Sequence, residues 1–359
     1  MDETPIHIAK LQRYSTEKAM ANQWQLFERK PSTGKRVAIV GAGPAGLSCA
    51  HTLSREGVEV TIYEKEAKGG GLMTYGIAAY KVTPEFCEDE VNYITSIGGI
   101  SIKYNHELGR DISIEELQRN YDAVYLAFGV GMARQLDIPG ENLFGVVDAI
   151  KFIYDLRDNN YSQIAVGDKV AVIGMGMTAI DAATQAKRLG AGEVHLIYRR
   201  TQDEMPCTEK ELNIAKLDGC NIIWLATPKE VLGDGENVKQ LVCDIMKLGE
   251  PDTSGRRSPI ATGETFTLDV DMVIKAAGQM PFSELVNGEN LQNNNGKIAV
   301  QGKSKASLNN VFAGGDCVNG GREVVDAVQA GKDGAAAILK VIISPDYTIE
   351  SELKPKFNN

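Results

Sequence analysis

A strand, a glycine-rich turn, a helix and a second strand occur twice in this chain, once from Arg36 and again from Lys169. In the first copy, Arg36-Val37-Ala38-Ile39-Val40 is a continuous apolar run, as a parallel strand buried on both faces requires. It leads into Gly41-Ala42-Gly43-Pro44-Ala45-Gly46. A helical pattern from Leu47 to Glu56 stops at Gly57, and a second strand, Val58 to Tyr63, ends at Glu64. In the second copy, Lys169-Val170-Ala171-Val172-Ile173 enters Gly174-Met175-Gly176-Met177-Thr178-Ala179. Its helix runs Ala179 to Leu189, stops at Gly190, and gives way to Glu193–Tyr198, which ends at Arg199-Arg200. Each copy also has a late strand ending in glycine, at Gly129 and at Gly278. Alternating strands and helices imply parallel sheets covered on both faces. The expected class is therefore α/β, with two Rossmann-like dinucleotide-binding domains.

The turns say what such domains hold. In a G-x-G-x-x-G turn the first glycine bends the chain and the second lets backbone approach a pyrophosphate. The third lets helix and strand pack closely. The helix that follows offers unpaired N–H groups and a partial positive charge to the phosphates. Glu64, ending the second strand of copy one, suits two ribose hydroxyls and repels a 2′-phosphate; otherwise it is a solvated strand end. Copy one thus suits a dinucleotide with a free ribose, such as FAD. At the matching place copy two has Arg199-Arg200, whose charge and fork geometry suit a 2′-phosphate. Copy two is expected to prefer NADP(H) over NAD(H), unless the pair is only a solvated basic turn.

A third element lies far down the chain. Val311-Phe312-Ala313-Gly314-Gly315-Asp316 reads as a strand ending in Gly-Gly-Asp, and Gly320-Gly321 leads into a helical run from Glu323 to Lys340. The start of that helix could face the anionic charge of a reduced flavin. Asp316 would hold a ribitol hydroxyl, or else cap a loop. These residues can serve the first cofactor only if the chain returns to the first domain. The expected FAD domain is therefore discontinuous, 35–139 plus 279–342, with an NAD(P)H domain of 140–278 inserted. Residues 1–34 are an arm with a helical pattern around Ile8 to Trp24 and a linker, and 343–359 a tail.

Composition excludes other classes. Lys and Arg total 38 against 48 Asp and Glu, so the net charge of −10 disfavours nucleic acid as a partner. No apolar run approaches the ~20 residues of a membrane helix, and the start has no signal-peptide pattern. The six cysteines form no CxxC or CxxxxC pair, which argues against an in-chain redox disulfide, a zinc site or an iron–sulfur site. They suit reduced thiols in the cytoplasm. No metal site is expected, and no residue stands as a catalytic acid, base or nucleophile.

The order GAGPAG, acid, Gly70-Gly71-Leu72-Met73-Thr74-Tyr75-Gly76-Ile77, a second GxGxxA, Tyr198-Arg199-Arg200 with Glu204-Met205-Pro206, then Ala313-Gly314-Gly315-Asp316 resembles one family. It is the pyridine nucleotide–flavin module of the glutamate synthase small subunit and dihydropyrimidine dehydrogenase. The likeness runs from Thr4-Pro5 to about Lys340; residues 70–81 look closer to the dehydrogenase, and Gly249–Asp252 with Gly255-Arg256-Arg257 closer to glutamate synthase. The resemblance implies FAD at Gly41, Gly43, Pro44, Ala45, Gly46, Glu64, Lys65, Gly71, Leu72, Lys81, Leu108, Gly315 and Asp316. It implies NAD(P)H at Gly174, Gly176, Met177, Thr178, Arg199, Arg200, Ala277 and Gly278. It further implies hydride transfer from NAD(P)H to FAD and passage of electrons to iron–sulfur clusters; no cysteine cluster is present in this sequence, so the clusters belong either to a partner or to a segment of a longer chain. Rival expectations are a ferredoxin:NADP reductase-type enzyme, a disulfide reductase, which the cysteine spacing disfavours, and a nucleotide-binding redox sensor without turnover.

Overall fold

A computed structural model describes residues 6–158, 163–253 and 255–349. Thr4, Pro5 and the tail beyond residue 349 lie outside them. The chain divides into two units, each an α/β assembly around its own parallel sheet.

The first unit comprises residues up to 74, 83–130 and from 281 onward. Its five-stranded sheet has the order Val311–Ala313, Ala123–Leu126, Arg36–Val40, Glu59–Tyr63, Ile100–Lys103, parallel throughout. Side chains alternate across a strand. Val37 and Ile39 therefore enter one core with Leu53, Tyr125 and Leu339, and Ala38 and Val40 enter another with Leu117, Leu126 and Ile298. The helix Val324–Ile342 lies against the helix Pro44–Arg55, and a Cβ at Gly331 would stand 2.3 Å from the Ala45 carbonyl oxygen. That contact brings the distant C-terminal stretch to the first glycine turn. The arm's helix, Ile8–Ala21, buries only Ala19. The linker after it is anchored: Lys30 donates to the Arg55 carbonyl at 2.8 Å and pairs with the buried Glu56 at 2.7 Å. Tyr347 donates to the same carboxylate at 2.6 Å, so residues 343–349 also pack with this unit.

The second unit has the order Val146–Asp148, Met272–Lys275, Lys169–Ile173, Glu193–Tyr198, Asn221–Trp224, again all parallel. In both units the late strand lies beside the first strand of the duplicated motif, and the second strand lies on its other side. A three-stranded antiparallel sheet, Ala226–Asp234, Asn237–Pro251 and Arg257–Asp269, was not expected. Its last strand is largely exposed, and only Phe266 and Leu268 near its end alternate inward, too short a pattern to announce the sheet.

The observed limits differ from 35–139 plus 279–342 and 140–278: the second unit takes residues 75–82 and 131–280. Outgoing and returning chain are zipped together, with Gly131 N–H on the Met280 carbonyl and Arg134 N–H on the Gly278 carbonyl, both at 2.7 Å. Residues 75–82 are an excursion held by side chains. Arg157 donates to the carbonyls of Ile77 (2.8 Å) and Val82 (2.7 Å), Asp181 accepts from Ala78 N–H (3.0 Å), and Tyr75 stacks on Tyr154.

Candidate functional site

Each glycine turn is held in the left-handed region at its first residue, with φ +102° at Gly41 and +135° at Gly174. The turns are crowded from within. A Cβ at Gly46 would meet the Gly41 carbonyl oxygen at 1.9 Å, while Ala179 fills the third position of the second turn with its own methyl buried. The middle positions differ. A Cβ at Gly176 would meet nothing within 4 Å, and one at Gly43 only the Gly71 Cα at 3.9 Å. Neither has a φ that demands glycine. The protein itself does not require glycine there, whereas a closely approaching dinucleotide does. Neither helix, Pro44–Arg55 nor Met177–Arg188, has a side-chain cap, so the first N–H groups remain for a phosphate.

In the first unit two distant stretches converge on the turn. Gly70 N–H bonds the Ala42 carbonyl at 2.8 Å, a Cβ at Gly71 would lie 2.9 Å from the Gly43 Cα, and one at Gly315 2.9 Å from the Ala45 Cβ. Glu64 is buried at the strand end; one oxygen accepts from Ala42 N–H at 2.7 Å, the other from Glu66 N–H at 2.9 Å. Burial raises its carboxyl above the ordinary value, and those two N–H groups pull it back. His106 N–H bonds the Glu64 carbonyl, which brings the buried Leu108 near. Leu72 opens the short helix Leu72–Tyr75. Lys65 is exposed, 3.6 Å from Glu66 and over the Phe282 ring. Asp316 accepts from Arg322 N–H at 3.2 Å, and burial raises its carboxyl. The long helix begins at Val324, and a separate four-residue helix, Asp316–Asn319, stands at the acid itself.

Lys81 departs from this set. It sits in the second unit, where its ammonium lies 2.6 Å from Asp181 and 2.7 Å from Glu211. Burial opposes the charge, but the two carboxylates more than offset it and raise the Lys81 pKa. Glu211 is held in turn by the Thr208 N–H at 3.1 Å.

The second unit contains a cavity of about 750 Å³. Gly174, Gly176, Thr178, Arg199, Arg200, Ala277 and Gly278 line it; Met177 does not and is exposed instead. The arginine pair is not equivalent. Arg199 is exposed, while Arg200 is buried with its Nε donating to the Arg257 carbonyl at 3.0 Å. Two further arginines, Arg134 and Arg256, line the same cavity. Burial, then Arg200, Arg256 and Arg134 all disfavour charge on Arg199. Arg134 stands in a loop with no motif around it, and Gly255-Arg256-Arg257 marked family likeness without suggesting a role. Among the described residues no carboxylate pairs with Arg199 or Arg256, and guanidinium groups beside a capless helix start attract anions.

Two parallel sheets with paired dinucleotide turns define an NAD(P)H-dependent oxidoreductase. Residues 35–331 match the pyridine nucleotide-disulphide oxidoreductase family, and the chain belongs to it. It is 39% identical over 330 residues to the NADP(+)-dependent formate dehydrogenase subunit beta of Moorella thermoacetica, covering 90% of this chain and 46% of that protein. The chain thus spans about half that relative's length. It is 33% identical over 357 residues to a putative glutamate synthase [NADPH] small chain of Cereibacter sphaeroides, covering 95% of this chain and 85% of that one. The resemblance to glutamate synthase small subunits is borne out. Mycobacterium tuberculosis FprA in complex with NADPH shares the fold, with a TM-score of 0.75 at 20% identity over 87% of this chain and 85% of that one. All six cysteines are buried free thiols. Among the described residues no helix is long and apolar enough to cross a membrane.

Proposed function

We propose that this chain is a flavin-containing module that takes a hydride from NADPH and passes electrons to an iron–sulfur partner in the cytoplasm. The observation that carries the reading is the opposite charge at equivalent strand ends: buried Glu64 in one unit, Arg199 in the other. The first fits FAD, whose ribose hydroxyls need an acceptor. The second fits NADPH, whose 2′-phosphate adds about two negative charges. When bound, the flavin supplies two-electron uptake and one-electron release, chemistry that no side chain here could perform.

The chain's own residues bind and orient. Ala42 and Glu66 N–H groups fix the Glu64 carboxylate so that it can accept the ribose hydroxyls. Gly43 and Gly176 admit the pyrophosphates, and Asp316 takes a ribitol hydroxyl. Arg199 reads the 2′-phosphate. Burial pushes up the thiols of Cys49, Cys207, Cys220, Cys243 and Cys317, which disfavours a reactive thiolate at these five positions. Reduced cysteines suit a cytoplasmic setting. Several relatives are named as small or beta subunits of NADPH-dependent enzymes, which supports a partner that receives the electrons.

The test is steady-state reduction of ferricyanide by the purified chain with NADPH or NADH. NADPH should be preferred, and neither glutamate formation nor uracil reduction should occur with the chain alone. Equal kcat/KM for the two nucleotides would overturn the NADPH assignment. Either product from the isolated chain would overturn the division of labour.

A further inference from the structure

The hairpin joining Asn237–Pro251 to Arg257–Asp269 ends at the nucleotide cavity. The described residues flanking its tip bond one another: Asp252 N–H bonds the Arg256 carbonyl at 2.9 Å, Asp252 Oδ1 accepts from Arg256 N–H at 3.0 Å, and Gly255 N–H bonds the Asp252 carbonyl at 2.8 Å. Arg256 lines the cavity, and among the described residues no carboxylate pairs with its guanidinium or with that of Arg199.

Two ties fix this tip to the Tyr198-Arg199-Arg200 turn. Arg200 Nε donates to the Arg257 carbonyl at 3.0 Å, and Arg257 Nε donates to Glu204 at 2.6 Å. Glu204 is itself held at the start of the next turn by Thr201 N–H at 3.3 Å. The ties set the side of the sheet. Arg200 ends the second strand of the motif, so Arg256 stands on the adenosine side of the cavity. Arg134, whose N–H bonds the Gly278 carbonyl, stands at the late strand on the other side of the first.

The geometry points to Arg256 as a second reader of the adenosine 2′-phosphate, opposite Arg199, on a hairpin clamped to the Rossmann turn by Arg257 and Glu204. This rests on the NADPH reading above. Arg256 lies outside the duplicated motif and some fifty residues beyond the Arg199-Arg200 pair in sequence. Arg257 and Glu204 are positioning residues: they face each other and not the phosphate. A doubly charged phosphate between two guanidinium groups relieves the repulsion that Arg199 carries in the free protein.

Binding of 2′,5′-ADP and of 5′-AMP to the full chain by titration calorimetry tests this, with thermal midpoints as the control for folding. Arg256→Ala should weaken 2′,5′-ADP by about tenfold or more and leave 5′-AMP unchanged. Glu204→Gln, which frees the Arg257 tie, should weaken 2′,5′-ADP by a smaller factor. Loss of 2′,5′-ADP affinity in Arg199→Ala but not in Arg256→Ala would overturn the hairpin's role and leave the NADPH reading standing. Equal weakening of both ligands in Arg256→Ala would overturn it as well, since the residue would then hold a group they share. Equal affinity of the unaltered chain for both ligands would overturn both readings.

Discussion

Replacing Lys81 with methionine tests whether that residue serves a cofactor or the fold. Its ammonium is held by Asp181 at 2.6 Å and Glu211 at 2.7 Å, and the Asp181 side chain is only 4% exposed. Asp181 also accepts from Ala78 N–H at 3.0 Å, so its carboxylate cannot turn to water without giving up that bond. Removing one partner of a buried ion pair costs about 3–5 kcal/mol, because the other charge remains buried. Lys81 is itself 23% exposed, so the lower end applies, about 3 kcal/mol. The second unit has roughly 160 residues, for which 1 kcal/mol moves the midpoint by about 2–4 °C. Lys81→Met should therefore lower the melting temperature by about 6–12 °C while flavin content per chain stays normal. In an Asp181→Asn background the same change should matter less, since only Glu211, itself held by the Thr208 N–H, then loses its cation. The reasoning is refuted if Lys81→Met leaves the midpoint within 2 °C of the parent, and refuted most plainly if it strips the flavin at the same time.

Two further outcomes follow from the same geometry. Gly43→Val should fold yet carry almost no flavin, because the backbone there suits any residue and the added atoms fill the pyrophosphate's approach; full visible flavin absorbance in that variant would contradict the site. His51, edge-on to Phe27, is lowered to about 4 by burial first and then by Arg55 and Lys332. The unfolded chain takes up that proton near its ordinary 6.5, so stability should fall as pH drops from 6.5 toward 4, by about 2 kcal/mol between pH 7 and 5. Urea midpoints at the two pH values should show that loss in the parent and a flatter profile in His51→Asn; identical profiles would remove His51 as the cause.

Both dinucleotide turns were legible in the sequence because local rules govern them. A strand buried on both faces is apolar throughout, a turn residue with φ beyond +100° favours glycine, and a charge that ends a strand stays at its end. Gly41, Gly174, Glu64 and Arg199 follow from those rules alone, and the return of Gly315 to the first turn follows from the cofactor they imply. What proximity adds could not be read that way. Lys81 has the same sequence neighbours whether it meets a cofactor or two carboxylates, and only packing sets Asp181 and Glu211 against it. Arg200 looks like the twin of Arg199 in sequence, yet strand alternation and the hairpin bury it under the Arg257 carbonyl. Arg134 and Arg256 lie far from the motif along the chain and reach its cavity only through the loop zipped to Gly278 and the antiparallel sheet. Sequence spacing determines which face a side chain takes within an element; which distant charges share a cavity is decided by how the elements pack.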